Sequence, residues 1–173
     1  VITAETQHEG AQAQLIGGKP PLYPALLDGA RLEGGGLPLE WGEHGVAGLL
    51  TEALDSIRPL AEAKGLTLTC LALDGLTVCG DSDDLIRLFL NFLDNAIKYS
   101  EQGEIVVRAE LDLTGPVIRV TITDMGLGMA AEHLPRIFNR FYRVDASRST
   151  QGAGLGLTIA LDIARAHGGT IEA

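Results

Sequence analysis

The stretch 81–99 constrains this chain more than any other, because it reads as a long helix that is apolar almost all round. Leu85, Ile86, Leu88, Phe89, Leu90, Phe92, Leu93, Ala96 and Ile97 leave little of it for water, so it must be buried against other elements. Asp81 is placed to cap its N-terminus, with Asp84 as the acid of a capping box. Yet Asp84, Arg87, Asn91, Asn95 and Lys98 recur at three- and four-residue steps and share one face. Asparagine is a poor helix former and costs roughly 1–3 kcal/mol when buried without partners. A metal-bound polyphosphate opposite the stripe would supply them, since amide oxygens ligate hard Mg²⁺ and lysine meets phosphate charge. A solvated stripe on an amphipathic helix reads equally well from these residues alone.

The rest of the chain supplies the layers that would bury this helix. Val46, Leu49, Leu50, Ala53, Leu54, Ile57 and Leu60 predict a helix over 45–64, stopped by Gly65. Alternating Leu and Thr predict a strand over 66–71, and Asp74-Gly75 turns it into a returning strand at 76–79. Two strands follow at 104–113 and 117–123, joined by Thr114-Gly115-Pro116. A short helix is predicted near 131–138, a last helix over 155–167 ended by Gly168-Gly169, and a strand from 170. Residues 1–24 are weakly patterned and interrupted by Pro20, Pro21 and Pro24; a short helix at 24–33 stops at Gly34-Gly35-Gly36. Strands and helices mix without a regular βαβ rhythm, so the expected fold is α/β, a helix layer packed on a mixed sheet.

Bulk properties narrow the function. With 46% hydrophobic and 21% charged residues the chain is globular rather than disordered, and 173 residues suit one domain. A net charge of −10 opposes binding to nucleic acid or an anionic membrane. Arg136, Arg140, Arg143 and Arg148 nevertheless cluster around a single acid, Asp145. A solvated helix face explains that cluster more simply than an anion site does. Cys70 and Cys79 lack CxxC spacing and read as small buried hydrophobes of a reducing compartment. There is no apolar run of the ~20 residues a bilayer span needs and no secretion signal, so the expected character is cytosolic.

Two glycine loops add chemistry. Asp124-Met125-Gly126-Leu127-Gly128-Met129 follows a strand directly. An aspartate there can accept a hydrogen bond from an exocyclic amine, while glycines let backbone approach a flat ring. Gly152-Ala153-Gly154-Leu155-Gly156-Leu157 leads straight into the last helix, where free amides and the positive dipole end suit phosphate. A dinucleotide fingerprint is rejected here, because the spacing is G-x-G-x-G and residues 145–151 are polar and not strand-like.

Taken together the chain resembles the ATP-binding catalytic domain of bacterial two-component sensor histidine kinases, over about 26–173. The resemblance is carried by Asn91-Phe92-Leu93-Asp94-Asn95-Ala96-Ile97-Lys98-Tyr99-Ser100, by the Asp124 loop, by Phe138-Asn139-Arg140-Phe141-Tyr142-Arg143, by the Gly152 loop and by His167-Gly168-Gly169. It implies a two-layer sandwich of the Bergerat type, a mostly antiparallel mixed sheet covered on one face by helices, with ATP and Mg²⁺ as cofactors. Asn95 would ligate Mg²⁺ with Asn91 in support, Lys98 would meet phosphate, and Tyr99 would pack near the adenine or ribose. Asp124 would read the adenine amine, with Gly126, Gly128 and Met129 beside the ring. Phe138 and Phe141 would anchor a lid that Gly152, Gly154, Leu155 and Gly156 let close over the phosphates. Arg140, Arg143 or Arg148 would stabilise the transferring phosphoryl group.

The resemblance also implies partners: the phosphoacceptor histidine on a dimerisation module of the same kinase, and then a response-regulator receiver domain. No nucleic acid and no direct membrane contact are expected of this segment. ATPases of the wider superfamily place a glutamate base four residues before the metal-binding asparagine. Here that position is Asn91, which takes no proton, so phosphoryl transfer is expected rather than hydrolysis. The alternatives are a serine-kinase anti-sigma factor or a non-catalytic nucleotide-binding scaffold. His8-Glu9 has the acceptor's His-acid pairing, but the short, proline-broken stretch from there to Arg31 does not hold two paired helices. The expected organisation is an unpatterned 1–24, a hairpin remnant and linker at 25–44, and the catalytic domain at 45–173. Further strands would follow Ala173, leaving a sheet edge open. Residues 144–152 form a slightly short lid. His44, His133 and His167 are expected at the surface or at helix ends.

Overall fold

A helix apolar on nearly every side is stable only when other elements cover it, and that requirement organises this molecule. The computed structural model describes residues 2–6, 13–16, 40–112, 117–144 and 153–173. Three helices, α1 (Val46–Ala63), α2 (Ser82–Tyr99) and α3 (Gly156–Ala166), form one layer. The other is a six-stranded sheet of β1 (Ile2–Thr6), β2 (Ala13–Ile16), β4 (Leu66–Ala72), β6 (Gly103–Leu111), β7 (Val117–Asp124) and β8 (Thr170–Glu172), in the order β1-β8-β2-β7-β6-β4. Strands β3 (Trp41–Gly45) and β5 (Thr77–Asp81) form a separate antiparallel pair. The expected two-layer α/β architecture is therefore present, with parallel β4–β6 and antiparallel β6–β7 and β2–β7 pairings.

The core lies between the layers. Leu85, Leu88, Phe89 and Leu93 of α2 are fully buried and pack with Val46 and Leu50 of α1 and with Ile105, Val107 and Ile122 of the sheet. Each fully buried aliphatic or aromatic side chain contributes about 1.5–3 kcal/mol, so this face supplies most of the driving force for folding. In β7 the residues alternate strictly, with Ile118, Val120, Ile122 and Asp124 buried. The last of that series is a carboxylate, carried by strand periodicity onto the helix-covered face.

Several expectations change. The hairpin predicted for 66–71 and 76–79 does not form. Strand β4 pairs in parallel with β6, from Leu66↔Gly103 to Ala72↔Ala109, and β5 pairs with β3. The Asp74-Gly75 turn remains, but it passes the chain from one sheet to the other. The helix expected near 131–138 is reduced to a 3-10 turn at Leu134–Arg136. Cys70 is exposed and Cys79 half-buried, so neither is a buried core residue. The weakly patterned N-terminal stretch supplies β1 and β2, which pair with β7 and β8. Strand β8 thus has neighbours in the sheet, and Thr6 lies in register with Asp124. The helix expected at 24–33, His8 and most of the lid lie outside the described residues.

Candidate functional site

The capped start of α2 sets the direction of the polar stripe. Asp81 is extended, and its Oδ1 accepts the Asp84 amide at 3.0 Å, as an N-cap does. The Asp81 amide, the donor a capping box would engage, donates to His167 Nε2 at 3.0 Å. Further along, Asn91, Asn95 and Lys98 are half-buried on one face. Asn91 Nδ2 donates to the Arg87 carbonyl at 2.9 Å. The Lys98 ammonium sits 5.3 Å from the centroid of the Tyr99 ring, which is exposed.

The end of α2 is fixed by a residue the sequence did not single out. Lys64, just beyond α1, donates through Nζ to the carbonyls of Ile97, Lys98 and Ser100 at 2.8, 3.0 and 3.3 Å. A cation satisfying the orphan carbonyls at a helix C-terminus is favoured by the helix dipole. Its only signal in the sequence was a lysine preceding a helix-stopping glycine.

The first glycine loop folds back onto this helix end. Burial raises the Asp124 pKa, and the hydrogen bond from the Gly126 amide at 2.8 Å opposes the rise. A Cβ at position 126 would lie 2.6 Å from Asp124 Oδ1 and 2.9 Å from the Tyr99 carbonyl oxygen, so only glycine fits. Met125 and Met129 are exposed beside it, and Gly128 has a positive φ of 67°.

The second glycine loop approaches from the other side. Gly156 opens α3 after Leu155, and a Cβ there would stand 3.0 Å from Asn91 Oδ1. The N-terminal amides of α3 are thus brought beside the asparagine stripe. The phenylalanine motif is tied to this loop: the Phe141 amide donates to the Gly154 carbonyl at 2.9 Å, and Thr158 Oγ1 donates to the Phe138 carbonyl at 2.9 Å. Gly154 has φ 69°, with the Tyr142 carbonyl oxygen 2.9 Å from where a Cβ would be. Phe138 is half-buried, whereas the Phe141 ring is 70% exposed and its backbone holds φ 63°. Tyr142 is held by His133 Nδ1 at 2.7 Å and lies under the Arg136 guanidinium, 4.6 Å from the ring centroid.

Asn91, Asn95, Lys98, Tyr99, Asp124, Gly126 and Gly156 therefore gather around the C-terminal half of α2. Arg140 is directed to Asp162 of α3 at 3.9 Å, with both side chains exposed. Arg143 is half-buried, and Gly152 and Arg148 lie outside the described residues. Among the described residues no group of three or more His, Cys, Asp or Glu could hold a metal ion. His167, expected at a surface or helix end, is at a helix end but buried.

Residues 80–173 match the family model described as histidine kinase-, DNA gyrase B-, and HSP90-like ATPase. The chain is 42% identical over 146 residues to the probable sensor protein PcoS of Escherichia coli, covering 83% of this chain and 31% of that protein. It is 41% identical over 123 residues to the sensor histidine kinase CusS of E. coli K12, covering 69% of this chain and 25% of that one. The chain thus spans a third or less of the length of these curated relatives. Among solved structures, full-length ShkA in complex with AMPPNP superposes with a TM-score of 0.68 at 29% identity, covering 85% of this chain and 33% of that one. The mycobacterial sensor histidine kinase MprB gives 0.63 at 29% identity, covering 73% and 80%. This chain belongs to the histidine kinase-, DNA gyrase B- and HSP90-like ATPase family, and the relatives it resembles there are sensor histidine kinases.

Proposed function

We propose that the chain binds Mg-ATP between α2 and the two glycine loops and transfers the γ-phosphoryl group to a histidine on a dimerisation module of the same kinase. A response-regulator receiver domain would then accept the phosphoryl group. The observation that carries this reading is the meeting of Asp124 and Gly126 with Tyr99 on one side, and of Gly156 with Asn91 on the other. One contact suits a flat base and the other suits phosphates.

In this reading the ionised Asp124 accepts a hydrogen bond from the adenine amine, and Gly126, Gly128 and Met129 border the ring. Lys98 and the N-terminal amides of α3 hold phosphate oxygens. Asn95 supplies one oxygen to the cation, supported by Asn91, and the cation neutralises phosphate charge when bound. Transfer breaks the bond from the γ-phosphorus to its bridging oxygen as a bond to the histidine nitrogen forms, and ADP leaves. No base for water faces this site from position 91, whose amide is engaged with Arg87. Positioning and electrostatics suffice for transfer to an imidazole nitrogen. The protein would act in the cytoplasm; no described helix is long and apolar enough to cross a membrane.

The test is to mix this chain with Mg-ATP and a separately expressed phosphoacceptor module of the parent kinase. Acid-labile phosphate should appear on the module, and it should vanish with Asn95→Ala. ATP binding without any transfer would favour a nucleotide-binding scaffold instead.

A further inference from the structure

We propose that His167 is a positioning residue for the nucleotide site, holding α3 against the start of α2 through the backbone of Asp81; this rests on the nucleotide-binding reading above. His167 follows α3 directly and is 4% exposed. The Asp81 amide can only donate and the Ile163 carbonyl can only accept. The ring therefore takes the first through Nε2 at 3.0 Å and donates to the second through Nδ1 at 2.8 Å. One neutral tautomer meets both demands.

Asp81 is a junction in its own right. Its Oδ1 caps α2, and its Oδ2 accepts the Glu40 amide at 2.9 Å, where the chain enters β3. Helix α3 is consequently fixed near both ends. Its first residue packs on Asn91, and the residue after its last is bonded to the cap of α2. A rigid eleven-residue helix cannot pivot at one of these points without moving the other. The packing leaves no slack: a Cβ at Gly80 would lie 2.5 Å from His167 Cδ2 and 2.9 Å from Nε2. Trp41, the single tryptophan of the chain, faces the imidazole with ring centroids 5.1 Å apart. Its emission therefore reports on the junction.

The two hydrogen bonds can be separated by substitution. In His167→Gln the side-chain oxygen can still reach the Asp81 amide, but the bond to Ile163 is lost. In His167→Asn the amide can still donate to Ile163 but falls short of Asp81. Mg-ATP affinity of this chain and both variants is measured by calorimetry, with thermal unfolding and Trp41 emission alongside. Both variants should lose stability, since each loses one buried bond. The Gln variant should keep ATP affinity within about two-fold, and the Asn variant should weaken it roughly three- to ten-fold, the worth of one net hydrogen bond. Equal affinities in the two variants, with the parent chain binding normally, overturn the inference and leave the nucleotide reading intact. A parent chain that does not bind Mg-ATP overturns both. Should either variant fail to fold, Gly80→Ala displaces the ring without removing it. That variant should shift Trp41 emission and weaken ATP binding, and an unchanged affinity overturns the inference.

Discussion

The Asp124 carboxylate accepts the Gly126 amide at 2.8 Å from the last, inward-facing position of a strand whose other inward residues are aliphatic. Burial holds its pKa above the ordinary carboxylate value, with the Gly126 bond opposing. The sign of the consequence follows. A carboxyl whose folded pKa is raised favours the fold below its unfolded pKa, near 3.9, and that benefit is lost as pH rises through the folded value. At neutral pH the ionised group is a cost to the fold, tolerated in our reading because adenine needs an acceptor. Asp124→Asn should keep the bond to Gly126 and gain stability relative to the parent as pH rises from about 4, measured by urea unfolding across that range. The same variant should lose ATP affinity, and parent affinity should fall on acidification through the raised pKa.

Gly126 has no room for a side chain against Tyr99. Gly126→Ala should destabilise the chain by about 1–3 kcal/mol, as overpacking does, because the Tyr99 backbone behind the Asp124 carboxylate cannot swing aside as a flexible side chain can. Denaturant midpoints measure the first effect. Calorimetry should show ATP binding lost even at temperatures where the variant remains folded.

Lys64 caps three carbonyls at the end of α2. Lys64→Met should lower stability by about 1 kcal/mol, and the loss should shrink at high salt because the lysine is exposed. Thermal unfolding at low and high ionic strength gives both numbers.

Phe141 holds a left-handed φ of 63° while most of its ring faces water. That conformation costs a non-glycine residue roughly 1–2 kcal/mol, and asparagine tolerates it better. Phe141→Asn should therefore raise the melting temperature. If phenylalanine is kept for the lid rather than for the fold, phosphoryl transfer should fall at the same time.

The parts of this molecule visible in its sequence are those governed by local rules. The α2 boundaries follow from the Asp81 cap and the apolar repeat, and Asp124 was legible as the polar residue where a strand meets a glycine loop. Strand partners were not visible. The Asp74-Gly75 turn argued for a local hairpin, whereas β4 and β5 pair with Gly103–Leu111 and Trp41–Gly45, and strand partners distant in sequence leave no local signal. His167 lies at the helix end expected of it, but its burial and its long-range partner were not visible. A histidine at a helix end reads as a partner of the dipole, and nothing near it in sequence reveals a donor 86 residues away. Of the site, the residue types and their spacing were readable, but the contacts Gly126–Tyr99 and Gly156–Asn91 needed the packed layers.

The most direct measurement is calorimetric titration of this chain with ATP, with and without Mg²⁺, beside Asp124→Asn and Asn95→Ala. The account predicts saturable binding in the parent, strong weakening in Asp124→Asn, and loss of only the Mg²⁺-dependent part in Asn95→Ala. Binding that is indifferent to Asp124, or no binding by the parent chain, would contradict it.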